Sequence, residues 1–325
     1  MGEFNYSSLG HVRQRISPIT LIVIPAITLV SVVLFVLSLY HPALSPTLEA
    51  AKKSPPGGPM EPMNSVLMLL PKDQKGDGDY GFHKDWLEMA IRNRKEYADK
   101  HGYLFMWADL AEYQESFKAD PMWAKIAALH DAFDKHPEVE WIWCLDSDVI
   151  IMNSELSLWD HLLSPDALRR EVKPGAEIKF GGSKKLPQHK HIVKTAKTVI
   201  PEDVFIIIST DSNGLNAGSF FIRRNSFMSA FVDLWHDPYL MKPKFTFSEQ
   251  DGLAHLIINH PHVLKHVGIV NQRLINSYPQ MYRDHELLVH FAGCRGGGRD
   301  CDKMFKDFWN RRTIVPQNET ETMED

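Results

Sequence analysis

The chain has 325 residues, 44% of them hydrophobic and 24% charged, an ordinary globular composition that allows one large domain or two small ones and a sizeable core. Its formal charge is -5, from 36 Lys+Arg against 41 Asp+Glu. That balance excludes the basic excess with which proteins neutralise a nucleic-acid backbone, so nucleic acid is not an expected partner.

The first element in chain order is apolar. No Asp, Glu, Lys or Arg occurs between Arg15 and Glu49, and Ile16 to Tyr40 is long enough to cross a bilayer core of about 30 Å as a helix. Pro18 and Pro25 are tolerated in a membrane helix, and the run exceeds the roughly 7–15 residue core of a cleaved signal peptide. It is expected to be a transmembrane signal-anchor. Arg13 and Arg15 precede it closely, whereas Lys52 and Lys53 follow at a distance, which favours a cytosolic tail at residues 1–15 and a lumenal remainder. The sequon at Asn318 would then be open to glycosylation and the one at Asn5 would not. Residues 41–63, rich in Pro, Gly, Ser and Ala, read as a stem.

A folded domain is expected over 64–312, with a polar, frayed tail at 313–325. Ser65 to Pro71 reads as a buried strand feeding a polar loop. A helix follows, with Trp86, Met89, Ala90, Asn93 and Tyr97 at helical spacing, stopping at Gly102. After a strand at Tyr103–Ala108, Asp120 and Pro121 cap and open a second helix with Met122, Ile126, Leu129 and Phe133 on one face. The third strand begins at Trp141. This alternation predicts a doubly wound α/β sheet whose ligands gather outside the carboxyl ends of the strands. Further strands are expected in DVFIIIST (203–210) and GLNAGSFFIRR (214–224). Phe227, Phe231 and Leu234 mark the apolar face of another helix, and Ser248 caps a last one that carries Asp251 in its first turn.

Three cysteines are present. Cys294 and Cys301 flank the flexible RGGGRD and are expected to be bridged in an oxidising lumen, leaving Cys144 as a buried thiol.

Asp146 and Asp148 stand at the carboxyl end of the third strand, in WIWCLDSDVIIMN (141–153). Alternate residues of an extended segment share a face, so both acids are expected to point the same way, with Ser147 turned elsewhere. Two such carboxylates make a hard oxygen site for Mg²⁺ or Mn²⁺, metals that commonly share their sphere with a substrate diphosphate. The bland reading is two solvated acids at a strand end. A phosphohydrolase of the haloacid dehalogenase type also uses Asp-x-Asp, but it needs a downstream acidic motif that this chain lacks.

Four stretches in order, WIWCLDSDVIIMN, LNAGSFFIRRN (215–225), SEQDGL (248–253) and VHFAGC (289–294), together resemble the family 34 glycosyltransferases, which include fungal Golgi α-galactosyl- and α-mannosyltransferases and plant xyloglucan xylosyltransferases. EYADKHGY (96–103) and INSYP (275–279) match as well. The resemblance implies a GT-A fold in which Asp146 and Asp148 hold Mn²⁺ against a nucleotide-sugar diphosphate, and His290 adds an imidazole ligand. Without the family, a lone His in an apolar strand would be read as a satisfied core residue. The resemblance also places Asn216, Ala217, Gly218 and Ser219 near the donor sugar and counts Ser147 among the donor-binding residues. Gln250 and Asp251 then fall at the transferred sugar and acceptor. Relatives often carry a lysine just after the Cys of VHFAGC, whereas this chain has Arg295 there, so Arg295 and Arg299 are the candidates for phosphate contact.

These implications amount to a type II Golgi membrane protein with a lumenal, Mn²⁺-dependent retaining hexosyltransferase acting on a glycan acceptor. The first choice of reaction is α-1,6-mannosyl transfer from GDP-mannose, and the second α-1,2-galactosyl transfer from UDP-galactose. Double displacement, with Asp251 as candidate nucleophile, and same-face transfer both stay open. An inactive subunit of a Golgi mannosyltransferase complex is the reading from another class, with other subunits as partners.

Overall fold

The computed structural model describes residues 66–72, 84–113, 121–179, 192–242, 245–294 and 299–313. The expected cytosolic tail, the expected anchor over 16–40 and the expected stem, together with Asn5, Asp120, Arg295 and Asn318, lie outside the described residues. Among the described residues, no helix is long and apolar enough to cross a membrane.

Strand β1 (Val66–Lys72) is buried on both faces, as its unbroken apolar run requires of a central strand. Helix α1 (Lys84–His101) follows and ends at Gly102, whose φ of 70° gives the left-handed turn that stops a helix cheaply only at glycine. Strand β2 (Leu104–Asp109) pairs parallel to β1 at the sheet edge. Helix α2 (Pro121–Lys135) leads to β3 (Trp141–Leu145), which pairs parallel to β1 on its other side. The order β2-β1-β3 reverses direction between β1 and β3, and such a reversal opens a crevice at the strands' carboxyl ends.

The expected doubly wound sheet holds only for this half. Strand β4 (Val149–Ile151) leaves the sheet, and α3 (Pro165–Glu171) and the small β5–β6 hairpin (Glu177–Ile178 with Val193–Lys194) lie before β7 (Ile206–Asp211) and β8 (Gly214–Arg223). Strand β8 pairs antiparallel to both β3 and β7, while β9 (Val267–Val270) pairs parallel to β7, so the six-stranded sheet is mixed.

Residues alternate across this sheet. Leu67, Leu69, Ile142, Cys144, Phe220 and Ile222 face α2, α4 (Ser226–Trp235) and α5 (Ser248–Asn259). Val66, Met68, Trp141, Trp143, Leu145 and Phe221 face the opposite layer, with Tyr97 of α1 and Leu168 of α3. Cys144 is a buried free thiol. The buried face of α4 is Met228, Phe231, Val232 and Trp235, whereas Phe227 and Leu234 of the expected face are exposed. Apolar residues occur in two rows on that helix, and Trp235 decides between them: its ring is fully buried and its Nε1 donates to Glu249 O at 3.0 Å.

Strand β10 (Leu288–His290) pairs antiparallel to β4, forming a two-stranded ribbon beside the main sheet. Helix α6 (Cys301–Arg311) closes over it, with Phe305 stacked on Trp86 at a centroid distance of 4.0 Å. Full burial of such a side chain stabilises by roughly 1.5–3 kcal/mol. The expected Cys294–Cys301 disulfide is present and ties the end of the ribbon to the start of α6.

Candidate active site

Asp146 and Asp148 do not converge by strand alternation. Strand β3 ends at Leu145 and the chain turns, with Val149 N donating to Asp146 O at 3.2 Å, so the acids are the first and third residues of a tight turn. Helix α1 sets that turn. The Arg94 guanidinium is fully buried and donates to the carbonyls of Val149 at 2.7 Å and Asp146 at 2.8 Å. Next to it, Asn93 donates to Ile151 O and accepts from Ile151 N, acting as a strand partner for β4. Burial pushes the Arg94 pKa down to about 9, against the opposing pull of Asp148 and Asp146.

The ribbon delivers His290 to the same turn, because Phe291 N donates to Asp148 O at 2.9 Å and His290 N to Ser277 O at 2.7 Å. His290 Nε2 lies 3.2 Å from Asp148 Oδ1. One ligand atom from each of Asp146, Asp148 and His290 falls within 4.8 Å of the others. Two carboxylate oxygens and an imidazole nitrogen suit a divalent ion such as Mn²⁺ or Mg²⁺, and convergence of these three groups passes the geometric test for one. Burial works against charge on both members of the buried pair, yet their mutual attraction wins: Asp148 is held below the usual carboxylate range and His290 above the usual imidazole range.

Gly218 makes room for that imidazole. Asp146 N donates to Gly218 O at 2.9 Å, and a Cβ on Gly218 would fall 2.2 Å from His290 Cε1. Glycine is thus needed at 218 for the close approach of the His290 ring. Gly218→Ala is expected to turn that ring aside and weaken Mn²⁺ binding about 10–100-fold, the range for losing the support of a metal ligand. Titration of the variant against Mn²⁺ checks this, and wild-type affinity would contradict it. The register explains how Gly218 gets there: Ile208 of β7 pairs with Phe220, and the next residue, Ser209, pairs with Asn216. Ala217, Gly218 and Ser219 therefore form a bulge that bows β8 beside the Asp146 turn.

A buried lysine completes the charge balance, and sequence reasoning passed it over. Lys125 of α2 lies 2.7 Å from Asp146 Oδ1 and 3.0 Å from Glu249 Oε1, its side chain only 3% exposed. Burial pulls the Lys125 pKa down, but Asp146 and Glu249 together lift it above the usual lysine range. Burial raises the Glu249 carboxyl, with Lys125 pulling the other way. A signal for Lys125 existed, since it interrupts the otherwise apolar MWAKIAAL of α2, and Glu249 lies inside SEQDGL itself.

The remaining expected residues are placed as follows. Gln250 Oε1 accepts from Ala217 N at 2.8 Å, pinning the bulge to α5. The Asp251 Oδ2 atom accepts from Thr246 N and Phe247 N at 2.9 and 3.0 Å, so this acid organises the entry to its own helix. Ser248 is not the cap; that position is Phe247, and Ser248 has a φ of 39°. Ser219 Oγ accepts from Trp143 Nε1 at 3.1 Å inside the core, where Ser219 is fully buried, and Ser147 is half-exposed on the turn. Asn216 lies behind the bulge, hydrogen-bonded to Asp211, Tyr278 and Asn276. Arg299 is described and exposed.

Fold and site together define a mixed α/β protein with a candidate divalent-metal centre at the carboxyl edge of its sheet. Residues 62–301 match the model of the galactosyl transferase GMA12/MNN10 family, and the chain belongs to that family. It is 37% identical over 240 residues to an α-1,2-galactosyltransferase of Schizosaccharomyces pombe, covering 72% of this chain and 63% of the relative. It is 30% identical over 258 residues to a Saccharomyces cerevisiae protein named "Probable alpha-1,6-mannosyltransferase MNN10", covering 73% of this chain and 63% of the relative. The chain thus spans under two thirds of the length of these relatives. A solved glycosyltransferase involved in glycosylation of the major capsid of PBCV-1 aligns with 75% of this chain and 98% of its own, at 13% identity and a TM-score of 0.47.

Proposed function

We propose that this chain is a metal-dependent, retaining hexosyltransferase of GT-A type that moves a sugar from a nucleotide donor to a glycan. The observation that carries the reading is the convergence of Asp146, Asp148 and His290 at the carboxyl end of β3, in a member of this family. Those three residues would hold Mn²⁺, which when bound supplies Lewis-acid stabilisation of the charge that grows on a departing diphosphate. Lys125 keeps the Asp146 carboxylate oriented toward the cluster, and Arg94 fixes the backbone beneath it. Gln250 holds the bulge whose glycine leaves the imidazole in place.

Same-face transfer is the proposed route. Asp251 is buried with Oδ2 committed to two backbone amides, and Glu249 is buried against Lys125, so neither is poised as the nucleophile of a double displacement. In the same-face route the acceptor hydroxyl oxygen bonds to the anomeric carbon as the C–O bond to phosphate breaks. The hydroxyl proton passes to the released diphosphate.

UDP-galactose is the donor proposed, because the galactosyltransferase relative is 37% identical. GDP-mannose is the second reading, supported by the 30% match to MNN10. The apolar run at 16–40 and the disulfide support the expected placement as a single-pass type II protein of the Golgi with its catalytic domain in the lumen. Nucleotide release by the purified full-length chain with Mn²⁺ and UDP-galactose, GDP-mannose or UDP-xylose tests the reading. Turnover is expected to be greatest with UDP-galactose. Faster release from GDP-mannose selects the second reading, and no release from any donor would remove the transferase assignment.

A further inference from the structure

Behind His290 a buried set of polar side chains has only one consistent arrangement of protons. It begins at a group whose polarity is fixed by chemistry: the Gly218 backbone N–H donates to Asn216 Oδ1 at 3.0 Å. The Asn216 amide nitrogen therefore faces the other way and donates to Asp211 Oδ2 and to the Tyr278 hydroxyl oxygen, each at 2.9 Å. A flipped Asn216 would set its carbonyl oxygen against the Asp211 carboxylate, so both ends of the amide agree. With Asn216 Oδ1 an acceptor, the Asn276 atom 2.8 Å from it has to be the amide nitrogen, which also donates to Ser209 Oγ at 3.2 Å. Asn276 Oδ1 is left to accept, and it lies 2.6 Å from His290 Nδ1. That nitrogen has to carry a proton.

We propose that Asn276, itself oriented by Asn216 and ultimately by the Gly218 amide, is a positioning residue that holds His290 in its Nδ1–H tautomer and turns the Nε2 lone pair toward the cation site. A neutral imidazole has one donor and one acceptor nitrogen, and the partner of the first decides which face of the ring can ligate. Nε2 faces Asp148 Oδ1 at 3.2 Å, so in the cation-free chain a carboxylate competes for a proton there; on the Nδ1 side Asn276 and Ser209 are fully buried, and a buried polar group without its partner is costly. Tyr278 presses edge-on against the imidazole, with ring centroids 5.8 Å apart, while Gly218 covers its other approach. The consequence for metal binding rests on the proposed function, whereas the tautomer does not.

The test uses the full-length chain with ¹⁵N-labelled histidine rings. Long-range ¹H–¹⁵N correlation in cation-free buffer, at a pH above the imidazole titration, reads the tautomer, and loss of one signal set in His290→Gln assigns it. An Nδ1–H pattern for His290 is expected, and an Nε2–H pattern overturns the proposal. Mn²⁺ titration followed by electron paramagnetic resonance supplies the second readout. Asn276→Ala should weaken binding about 10–100-fold and mix the tautomers. Wild-type affinity in a folded Asn276→Ala chain also overturns the proposal, and if that variant fails to fold, the wild-type spectrum decides alone. Absence of Mn²⁺ binding by the wild type would instead strike the metal reading, leaving the tautomer to be judged from the spectrum.

Discussion

Replacing Lys125 by Met is expected to destabilise the folded chain by about 3–5 kcal/mol, the cost of removing one partner from a buried ion pair. Methionine preserves the length and apolar stem of the side chain, so the loss isolates the ammonium. Without it, Asp146 and Glu249 confront each other across a site where Glu249 is already fully buried and its carboxyl pushed up by that burial. Denaturant unfolding measures the effect. Adding Glu249→Gln to Lys125→Met should recover part of the stability, because one of the two stranded charges is then gone. A Lys125→Met chain that unfolds at the wild-type denaturant concentration would contradict the bridging role.

Asp148→Asn is expected to lower kcat/KM for sugar transfer about 10³-fold at saturating Mn²⁺. An amide oxygen keeps the shape but not the charge that holds a divalent ion, and about 4 kcal/mol of lost stabilisation corresponds to that factor. The buried contact with His290 loses its charge as well, so Mn²⁺ affinity should fall together with rate. Unchanged kcat/KM in a folded Asp148→Asn variant would mean that the Asp146, Asp148 and His290 cluster does not hold the catalytic ion.

Local patterning made much of the fold legible. The apolar runs of β1 and β3 and the stop of α1 at Gly102 follow from rules that act over a few residues, and the Cys294–Cys301 bridge needed only a short closing loop. What escaped was decided by distant contacts. Alternation foretold that Asp146 and Asp148 would share a face, yet the Arg94 clamp from α1 bends the chain into a turn, and no pattern within 141–153 encodes that clamp. On α4 the two apolar rows were equivalent until Trp235 met Glu249. Lys125 showed only as a break in an apolar helix, and it acquires meaning when Asp146 and Glu249 are brought to it from elsewhere in the chain. Asp146 and Asp148 were legible as candidate metal ligands from their spacing and His290 through the family resemblance, whereas the hydrogen bonds that orient them emerged only from the assembled sheet.

The bulge in β8 constrains chain length as firmly as chemistry. Its surplus residues, Ala217 to Ser219, interrupt the pairing with β7, which is in register on either side of them, while Ser219 to Arg223 keep register with β3. Deleting one of them has to be absorbed by tightening the bulge and moving Gly218, or else Phe220, Phe221 and Ile222 advance by one step and each exchanges one hydrophobic layer for the other. Homologous chains and engineered versions alike are therefore constrained in this hairpin by residue number as well as by the glycine at 218.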